Sequence, residues 1–275
     1  VRSEKDPYTL MRLINTNIFN VEKTLNQSIK KGIKNYFSVS TDKAANPVNL
    51  MGASKRIMEL IMFQKSDKIK VSSARFANVL YSDGSLLYSF TQRLLKNQPI
   101  VAPSDIKRYF ISKQEAARLC LMSTIYGLNR DIFFPKLDLN KDLISLKELA
   151  ISFLHENGLT PIECKSENEA RNYLSKITNS TRWPCYFSKS NTSGEKPFEE
   201  FYSKSETIAN DLYEDIGVIK NENNLNLKNL NKFRETIELY KINKIWKRED
   251  IIKIFKENLK ELNHIEKNKF LDDRM

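Results

Sequence analysis

Apolar residues recur at helical spacing through the N-terminal part of the chain. The stripe consists of Leu10, Leu13, Ile14, Ile18, Val21, Leu25 and Ile29. Asp6 and Pro7 precede it as an N-cap and a first-turn proline, and Gly32 follows it. The pattern therefore predicts an amphipathic helix over 7–31. Asn17 interrupts the stripe, either as a polar residue at its edge or as a buried amide that serves a site.

Short runs of β-branched and aromatic residues alternate with further helical patterns. The runs predict strands over 36–40, 70–76 and 131–137. Further helices are predicted over 50–64 and from the turn at Ser85 to Lys96. Three more are predicted to begin at capping boxes, in which a serine precedes a glutamate by three residues: Ser112, Ser145 and Ser166. Strands that alternate with helices in this way predict an α/β fold with a parallel sheet.

The C-terminal part of the chain is more polar. Residues 188–194 are typical of a loop, and the asparagine-rich residues 220–231 predict a linker. One face of a last predicted helix carries Ile251, Ile252, Phe255, Leu259 and Leu262. We therefore expect the C-terminal tail to pack against the rest of the protein.

A cluster of polar side chains follows the first predicted strand. Ser40, Thr41, Asp42 and Lys43 place hydroxyls, a carboxylate and an amine directly after the run 36–39. In α/β proteins the carboxyl ends of strands face an open crevice where ligands and catalytic groups gather. This strand end is therefore a candidate site. In the next helix, Met51 and Lys55 stand one turn apart on the same face.

Charge and cysteine content exclude several classes of function. The formal net charge is +11, but Lys and Arg are interspersed with Asp and Glu, and no basic block with aromatics is present, which disfavours nucleic-acid binding. The cysteines match no metal-ligand spacing and predict a reducing, cytoplasmic setting without a metal site. The sequence contains no run of about 18 consecutive apolar residues, so no membrane span is predicted. His155 and His264 are predicted to lie on the surface.

The seven glycines are spread along the chain. No two lie close enough for a phosphate-binding loop of the G-x-G-x-x-G or Walker type. The chain also opens on a helical pattern rather than on a strand. The sequence therefore predicts a parallel sheet with a polar strand end but no phosphate-binding loop, so the pattern expected of a dinucleotide-binding fold is incomplete.

The strand end resembles a known family. Lys55 stands four residues after Met51 and follows the Ser40-Thr41 strand end. This layout is similar to that of the short-chain dehydrogenase/reductase superfamily, whose usual motif is Tyr-x-x-x-Lys. The longer string of 40–44, Asn46-Pro47 and 51–56 resembles its polysaccharide-biosynthesis branch, the nucleotide-sugar 4,6-dehydratases acting on UDP-N-acetylglucosamine. Further matching landmarks are residues 2–7, Asn17, 75–79, 82–85 and 108–110.

The resemblance implies a fold and a division of the chain. It implies an α/β fold, the C-terminal part of an extended short-chain dehydrogenase Rossmann fold, plus a smaller, mainly helical C-terminal substrate region. Residues 1–140 would be the second half of the NAD-binding and catalytic domain, 141–215 the substrate-binding region and 216–275 a helical extension. The first half of the Rossmann fold, with its glycine loop, has no counterpart, so the chain resembles an N-terminally truncated member.

The resemblance also implies chemistry. The family reaction on tightly bound NAD removes hydride from C4, eliminates water across C5 and C6, and returns hydride to C6. Lys43 would be the base at C5, Asp42 the acid toward the C6 hydroxyl, and Thr41 a partner of the C4 hydroxyl. Lys55 would hold the nicotinamide ribose and assist proton removal at C4. Met51 replaces the usual tyrosine, as in members expected to retain configuration at C5.

Further residues and partners follow from the resemblance. Asn17 and Ser40 are expected on the cofactor side, and Asn78, Ser85 and Arg108 are candidates for nucleotide-sugar contacts. A homo-oligomer is expected, with helices 7–31 and 50–64 as interface candidates. Arg182, Lys189 and Lys196 are expected to be surface charges.

Three other functions remain open from the sequence. A sugar-nucleotide epimerase of the same superfamily shares the fold and cofactor, but such enzymes usually keep the tyrosine and lack the Asp-Lys pair. A catalytically inactive remnant that serves as a binding or assembly module fits the missing glycine loop. A nucleic-acid binder is the weakest alternative, and its affinity would depend on salt.

Overall fold

The computed structural model describes residues 4, 6–176, 181–221 and 228–267. The chain divides into two compact units, each discontinuous in sequence. The first unit comprises Val1–Phe76, Ala116–Lys136 and Thr192–Met275, and the second comprises Ala77–Glu115 and Leu137–Asn191. The functional assignment of 1–140, 141–215 and 216–275 stays a prediction.

Within the described residues, regular elements follow one another in chain order. The α-helices are α1 (Pro7–Ile14), α2 (Asn20–Lys30), α3 (Leu50–Gln64), α4 (Leu86–Leu95), α5 (Lys113–Tyr126), α6 (Leu146–Glu156), α7 (Glu167–Leu174), α8 (Lys228–Asn243) and α9 (Arg248–Asn258). The strands are β1 (Asn35–Thr41), β2 (Lys70–Phe76), β3 (Asn78–Val79), β4 (Ile100–Pro103), β5 (Lys107–Ile111), β6 (Asp131–Pro135), β7 (Leu143–Ser145), β8 (Thr160–Glu163), β9 (Arg182–Ser188), β10 (Thr207–Ala209) and β11 (Ile216–Lys220).

The N-terminal helical run begins and ends where the sequence predicts. The Asp6 side chain accepts hydrogen bonds from the backbone N–H groups of Tyr8 and Thr9 at 3.3 and 3.0 Å. Gly32 stops the run in a left-handed conformation with φ +69°. The run is interrupted by a π-helical turn over Asn15–Phe19, which joins α1 to α2 and which the apolar stripe did not predict.

The sheet of the first unit carries the candidate strand end. Its order is β1-β2-β6-β11-β10, with β1, β2 and β6 parallel and the last two strands antiparallel. The predicted parallel α/β arrangement is confirmed. The sequence missed β10 and β11 because a three-residue strand shows no alternation, and because Gly217 interrupts β11. A Cβ at Gly217 would lie 2.2 Å from the ring of Phe134, so the strand needs glycine there.

The second unit contains two three-stranded sheets, β3-β5-β7 and β4-β9-β8. The predicted helix starts are confirmed: Ser145 and Glu148 form a capping box, and Ser166 accepts a hydrogen bond from the Glu169 N–H. The strands of this unit were not predicted, because most are five residues or shorter and lie next to stronger helical patterns.

The C-terminal helices cover the first unit on one side. A single apolar cluster joins α1 and α3 to α8 and α9, and its fully buried members include Ile14, Ile57, Phe233, Ile237, Ile251 and Phe255. The predicted packing of the tail is therefore confirmed. Because α8 and α9 cover these apolar faces, self-association through α1 or α3 would use their other faces. Homo-oligomerisation stays a prediction.

Two predictions for the C-terminal part need correction. The predicted linker 220–231 begins inside β11 at Lys220 and ends inside α8, while 222–227 lie outside the described residues. The His264 side chain is 2% exposed, not on the surface, and its Nε2 lies 3.0 Å from Glu4 Oε2. Sequence patterns reveal no partner 260 positions away. His155 is exposed, as predicted.

The three cysteines, Cys120, Cys164 and Cys185, are free thiols. In the part of the chain that the structure describes, no helix is both long and apolar enough to cross a membrane. Over the same residues, no cluster of histidine, cysteine, aspartate and glutamate is suited to hold a metal ion.

We predict that the packing of α8 supplies a large share of the stability of the first unit. Phe233 is fully buried and lies edge-on to Phe255, with ring centroids 5.1 Å apart. Phe233→Ala should lower the free energy of unfolding by about 3–5 kcal/mol, because it leaves a cavity. Leu239→Ala is the control on the same helix, since Leu239 is 55% exposed. Equal small losses in urea denaturation of both variants would contradict the packing.

Candidate active site

The candidate site is built on the carboxyl end of β1. Thr41 is the last residue of the strand, and a 3₁₀ turn over Asp42–Ala44 follows it. One carboxylate oxygen, Asp42 Oδ1, accepts hydrogen bonds from Thr41 Oγ1 at 2.7 Å, the Lys43 N–H at 2.8 Å and Lys43 Nζ at 2.9 Å. Three consecutive residues are thus held together by one oxygen atom.

The second oxygen of Asp42 is in a different environment. The Asp42 side chain is 1% exposed and that of Lys43 is 19% exposed. Oδ2 is buried and has no hydrogen-bond partner. A buried oxygen without a partner is unfavourable, and the cost is relieved when a ligand group donates a hydrogen bond to it.

Helix α3 approaches this turn through a glycine. A Cβ at Gly52 would lie 2.2 Å from the backbone oxygen of Lys43, so only glycine allows the helix to come this close. The Asn49 side chain caps the helix by accepting a hydrogen bond from the Gly52 N–H at 2.8 Å. The first turn of α3, which carries Met51, is therefore fixed against the backbone of Lys43.

Lys55 extends from α3 over β1. Its Nζ donates to the backbone oxygen of Val39 at 3.0 Å and lies 3.9 Å from the sulfur of Met58. Burial lowers the pKa of Lys55, and the nearby Glu59 carboxylate opposes this effect. A lysine with a lowered pKa gives up its proton more readily, which suits a role in proton transfer.

Below the site lies a fully buried carboxylate, Glu59. It accepts a hydrogen bond from the Ser40 hydroxyl at 2.6 Å and a two-pronged contact from Arg75 at 3.0 and 2.8 Å. Arg56 Nη1 donates to it at 3.0 Å. Desolvation alone would raise the pKa of Glu59, but Arg75, Arg56 and Ser40 outweigh it and lower the pKa to about 2.

Arg75 also holds the segment before β10. It donates to both carboxylate oxygens of Glu206 at 2.8 Å and to the backbone oxygen of Phe201 at 2.9 Å. The two carboxylates raise its pKa despite complete burial. The sequence interpretation missed the roles of Glu59 and Arg75. The available signal was the i, i+4 spacing of Lys55 and Glu59 on one helix face.

The structure places the two residues expected on the cofactor side next to protein partners. Asn17, in the π-helical turn, donates from Nδ2 to Ser54 Oγ at 2.9 Å, and Ser54 donates to the Met51 backbone oxygen at 2.8 Å. Asn17 therefore braces the start of α3. The Ser40 hydroxyl hydrogen is directed to Glu59. Cofactor contact by either residue stays a prediction.

The three candidates for nucleotide-sugar contacts belong to the second unit. Asn78 Nδ2 donates to the Tyr109 backbone oxygen at 3.1 Å, and Ser85 caps α4 by accepting from the Tyr88 N–H at 3.3 Å. Arg108 is 8% exposed and donates to the Lys107 backbone oxygen at 2.8 Å. Because Asn78 pairs with Phe110 on β5, it lies near Arg108 within this unit.

The three expected surface charges behave differently. Arg182 and Lys189 are exposed, as predicted. Lys196 is not, since its side chain is 14% exposed. Its Nζ lies 3.0 Å from the Asn46 backbone oxygen and 3.2 Å from the Glu199 carboxylate. The surface prediction for Lys196 is therefore wrong, because its partner is a non-local loop.

The implied cofactor is NAD, and the described residues fit it only in part. Lys55, with its lowered pKa and its place above β1, suits a ribose hydroxyl at the nicotinamide end. The glycines with positive φ are Gly32, Gly84, Gly158 and Gly194, and no two of them share a turn. Within the described residues, no glycine-rich turn is suited to cradle a pyrophosphate.

The sequence matches a family model described as "Polysaccharide biosynthesis protein" over residues 6–221. The chain belongs to this family. A relative, the probable polysaccharide biosynthesis protein EpsC of Bacillus subtilis, is 29% identical over 210 residues, which are 75% of this chain and 31% of EpsC. A UDP-glucose 4-epimerase of Rickettsia canadensis is 29% identical over 155 residues, or 54% of this chain and 46% of the epimerase. The chain thus spans less than half the length of both relatives.

Solved structures support the fold of this family member. Pen from Bacillus thuringiensis superposes with a TM-score of 0.60 at 21% identity, covering 76% of this chain and 59% of Pen. A double mutant of DesIV, a dTDP-glucose 4,6-dehydratase from Streptomyces venezuelae, gives 0.50 at 15% identity, over 68% and 57% of the two chains. At these identities the likeness shows the Rossmann-type fold alone, as predicted.

We predict that Glu59 makes the stability of this family member pH-dependent in acid. Its pKa in the folded state, about 2, lies below the ordinary value of 4.5. The unfolded chain therefore takes up a proton first, so the stabilisation is present above the ordinary pKa and is lost as pH falls toward 2. Glu59→Gln should flatten this slope and destabilise the fold by about 3–5 kcal/mol, since Arg75 loses a partner.

The measurement is the free energy of unfolding in urea at several pH values between neutrality and acid. Glu238→Gln is the matched control, because Glu238 is an exposed glutamate on α8. A Glu59→Gln protein with the same acid slope as the parent would show that another group titrates there.

Proposed function

We propose that this strand end eliminates water from a nucleotide sugar, as a 4,6-dehydratase site. The observation that carries the proposal is the unequal environment of the Asp42 oxygens. Oδ1 accepts three hydrogen bonds, one of them from Lys43 Nζ at 2.9 Å, whereas Oδ2 is buried without a partner. In this proposal Oδ2, which accepts no hydrogen bond from the protein, is the atom that delivers a proton to the substrate.

The Asp42–Lys43 contact supplies both groups that an elimination needs. In the reactive state the pair carries the same total charge as the ion pair, with Lys43 as a neutral amine and Asp42 as a carboxylic acid whose proton is on Oδ2. The amine of Lys43 takes the C5 proton of a 4-keto sugar, and Asp42 gives its proton to the departing C6 hydroxyl. Water leaves, a C5–C6 double bond forms, and the ion pair is restored. The two side chains therefore balance the step without a further base.

The neighbouring residues have supporting roles in this proposal. Thr41 holds the C4 oxygen, since its hydroxyl oxygen still has acceptor capacity while its hydrogen points to Asp42. Lys55 holds the nicotinamide ribose and accepts or relays the C4 hydroxyl proton, which Met51 cannot do. NAD supplies hydride removal and return when bound. Asn17 and Ser40 stay candidates on the cofactor side.

Substrate binding is proposed for the second unit. Asn78, Ser85 and Arg108 stay candidates for contacts with the nucleotide sugar, and Arg108 would pair with the pyrophosphate as a charge-assisted donor. UDP-N-acetylglucosamine is the proposed substrate, with retention at C5, on the resemblance of 40–56 to that branch. Both the substrate and the stereochemistry rest on the sequence alone.

An epimerase is the second candidate. The similarity to a UDP-glucose 4-epimerase from Rickettsia canadensis, at 29% identity over 155 residues, supports it. A 4-epimerase needs oxidation and reduction at C4 but no base at C5. The contact between Lys43 and the buried Asp42 is the feature that favours the dehydratase.

We predict that both members of the pair are needed for elimination. In the complete gene product, Asp42→Asn and Lys43→Ala should each reduce formation of the 4-keto-6-deoxy product by about 10²- to 10⁴-fold, the usual contribution of a general acid or base. Product formation from UDP-N-acetylglucosamine is followed by NMR, which also detects a C4 epimer.

A matched control exists in the same unit. Asp67 and Lys68 form another adjacent Asp-Lys pair, but both are exposed. Asp67→Asn and Lys68→Ala should therefore keep the parental turnover. Near-parental turnover in both Asp42→Asn and Lys43→Ala would reject the assignment, and a C4 epimer as the sole product would favour the epimerase.

A further inference from the structure

The C-terminal tail reaches the loop that leads from Lys43 to α3. The backbone N–H groups of Asn263 and Ile265 donate to the Pro47 and Val48 carbonyl oxygens, both at 3.0 Å. These contacts join a segment beyond α9 to a loop next to the candidate site. All four residues belong to the first unit. The proposed mechanism gives this tail no role.

A buried contact between two side chains also holds the start of α3. Glu4 and His264 side chains are each 2% exposed, and His264 Nε2 lies 3.0 Å from Glu4 Oε2. The other oxygen of Glu4 accepts a hydrogen bond from the Leu50 N–H, the first residue of α3. The tail thus contacts the beginning of α3 through a residue from the N-terminal segment as well.

A second route runs through Gly194 and Asn49. Gly194 donates its N–H to the Ile265 carbonyl at 2.9 Å, and its own carbonyl accepts a hydrogen bond from Asn49 Nδ2 at 2.9 Å. A Cβ at Gly194 would lie 2.7 Å from the Asn49 Cβ, and φ there is +72°. The contact is therefore as close as a glycine permits.

Asn49 completes the route to the candidate base. The Asn49 side chain is buried, and its Oδ1 accepts the Gly52 N–H at 2.8 Å while its Nδ2 is used by Gly194. Gly52 in turn lies against the Lys43 carbonyl, where a Cβ would come within 2.2 Å. An unbroken series of direct contacts therefore joins Ile265 to Lys43.

We propose that Asn49 is a positioning residue through which the C-terminal tail sets the placement of Lys43 against Asp42. Both halves of its amide are needed: the oxygen caps α3, and the nitrogen ties the cap to the tail. A plain N-cap needs only the oxygen, and serine or aspartate provides it equally well. The use of both halves distinguishes a link between tail and site from ordinary helix capping.

The catalytic side of this proposal rests on the proposed dehydratase function, so the test has two independent readouts. Asn49→Ser keeps an N-cap hydroxyl but removes the donor to Gly194. The first readout is the rate at which an amine-acylating reagent labels Lys43, measured by mass spectrometry relative to the exposed Lys260. We expect several-fold faster labelling of Lys43 in Asn49→Ser, since the turn that holds it is released.

The second readout is turnover in the complete gene product. A misplaced general base should lower kcat by about 10- to 100-fold. KM should change little, because the proposed nucleotide-sugar contacts are elsewhere. The pH profile of kcat should shift as well, since Lys43 would no longer be held against Asp42 in the same way. A purely structural loss would change the amount of folded enzyme but not the profile.

The matched control is Asn258→Ser. Asn258 also donates from Nδ2 to a backbone carbonyl, that of Ile254 at 2.7 Å, but it lies at the end of α9. It should leave labelling and turnover unchanged. Ser193→Ala serves as a second variant if Asn49→Ser does not fold. It removes the bonds to Glu266 Oε1 and the Lys267 N–H, at 2.8 and 2.9 Å, and should act in the same direction.

The two readouts separate the possible failures. Unchanged Lys43 labelling in Asn49→Ser and Ser193→Ala would overturn the link, whatever the activity. Faster labelling in a protein that dehydrates no nucleotide sugar would support the link and reject the proposed function. If kcat of Asn49→Ser were no lower than kcat of Asn258→Ser, that result would also count against a positioning role of Asn49.

Discussion

The Glu59 carboxylate and the Arg75 guanidinium are fully buried and bonded to each other at two points. Two charges removed from water are tolerated only when their geometry is close and their remaining bonding capacity is filled. Here the remaining partners come from different elements: Ser40 from β1, Arg56 from α3 and Glu206 from the segment before β10. The ion pair therefore fixes the strand end, the helix and the C-terminal segment relative to one another within the first unit.

This constraint explains why the candidate site can be so compact. Ser40 is held by Glu59, so the next residues of β1 enter the 3₁₀ turn at a fixed point. Gly52 then allows α3 to contact the backbone of Lys43. The result is a carboxylate and an amine on adjacent residues, Asp42 and Lys43, 2.9 Å apart, with a lysine on the next helix, Lys55, whose pKa is lowered by burial. At the start of α3, Asn49 is hydrogen-bonded to Gly194, which in turn contacts the C-terminal tail.

The sequence could predict what depends on local periodicity. The polar strand end at Thr41–Lys43, the limits of α3 and the capped helices all follow from patterns within a few residues. The missing parts are non-local: Glu59 and Arg75 are 16 positions apart, and His264 and Glu4 are 260 apart. Short strands such as β10 are too short to show an alternation of apolar and polar residues. The apolar positions Leu230, Phe233 and Ile237 of α8 are helically spaced, so that helix was readable but was assigned in part to a linker.

In the proposed mechanism, Lys43 removes a proton from C5 of a nucleotide sugar. The most direct measurement is to run the complete gene product in D₂O with UDP-N-acetylglucosamine and to locate deuterium in the product by NMR. A lysine base exchanges its proton with solvent, so we expect a 4-keto-6-deoxy product with deuterium at C5. In Lys43→Ala this deuterated product should no longer form. A C4 epimer with no deuterium on the ring carbons would contradict it.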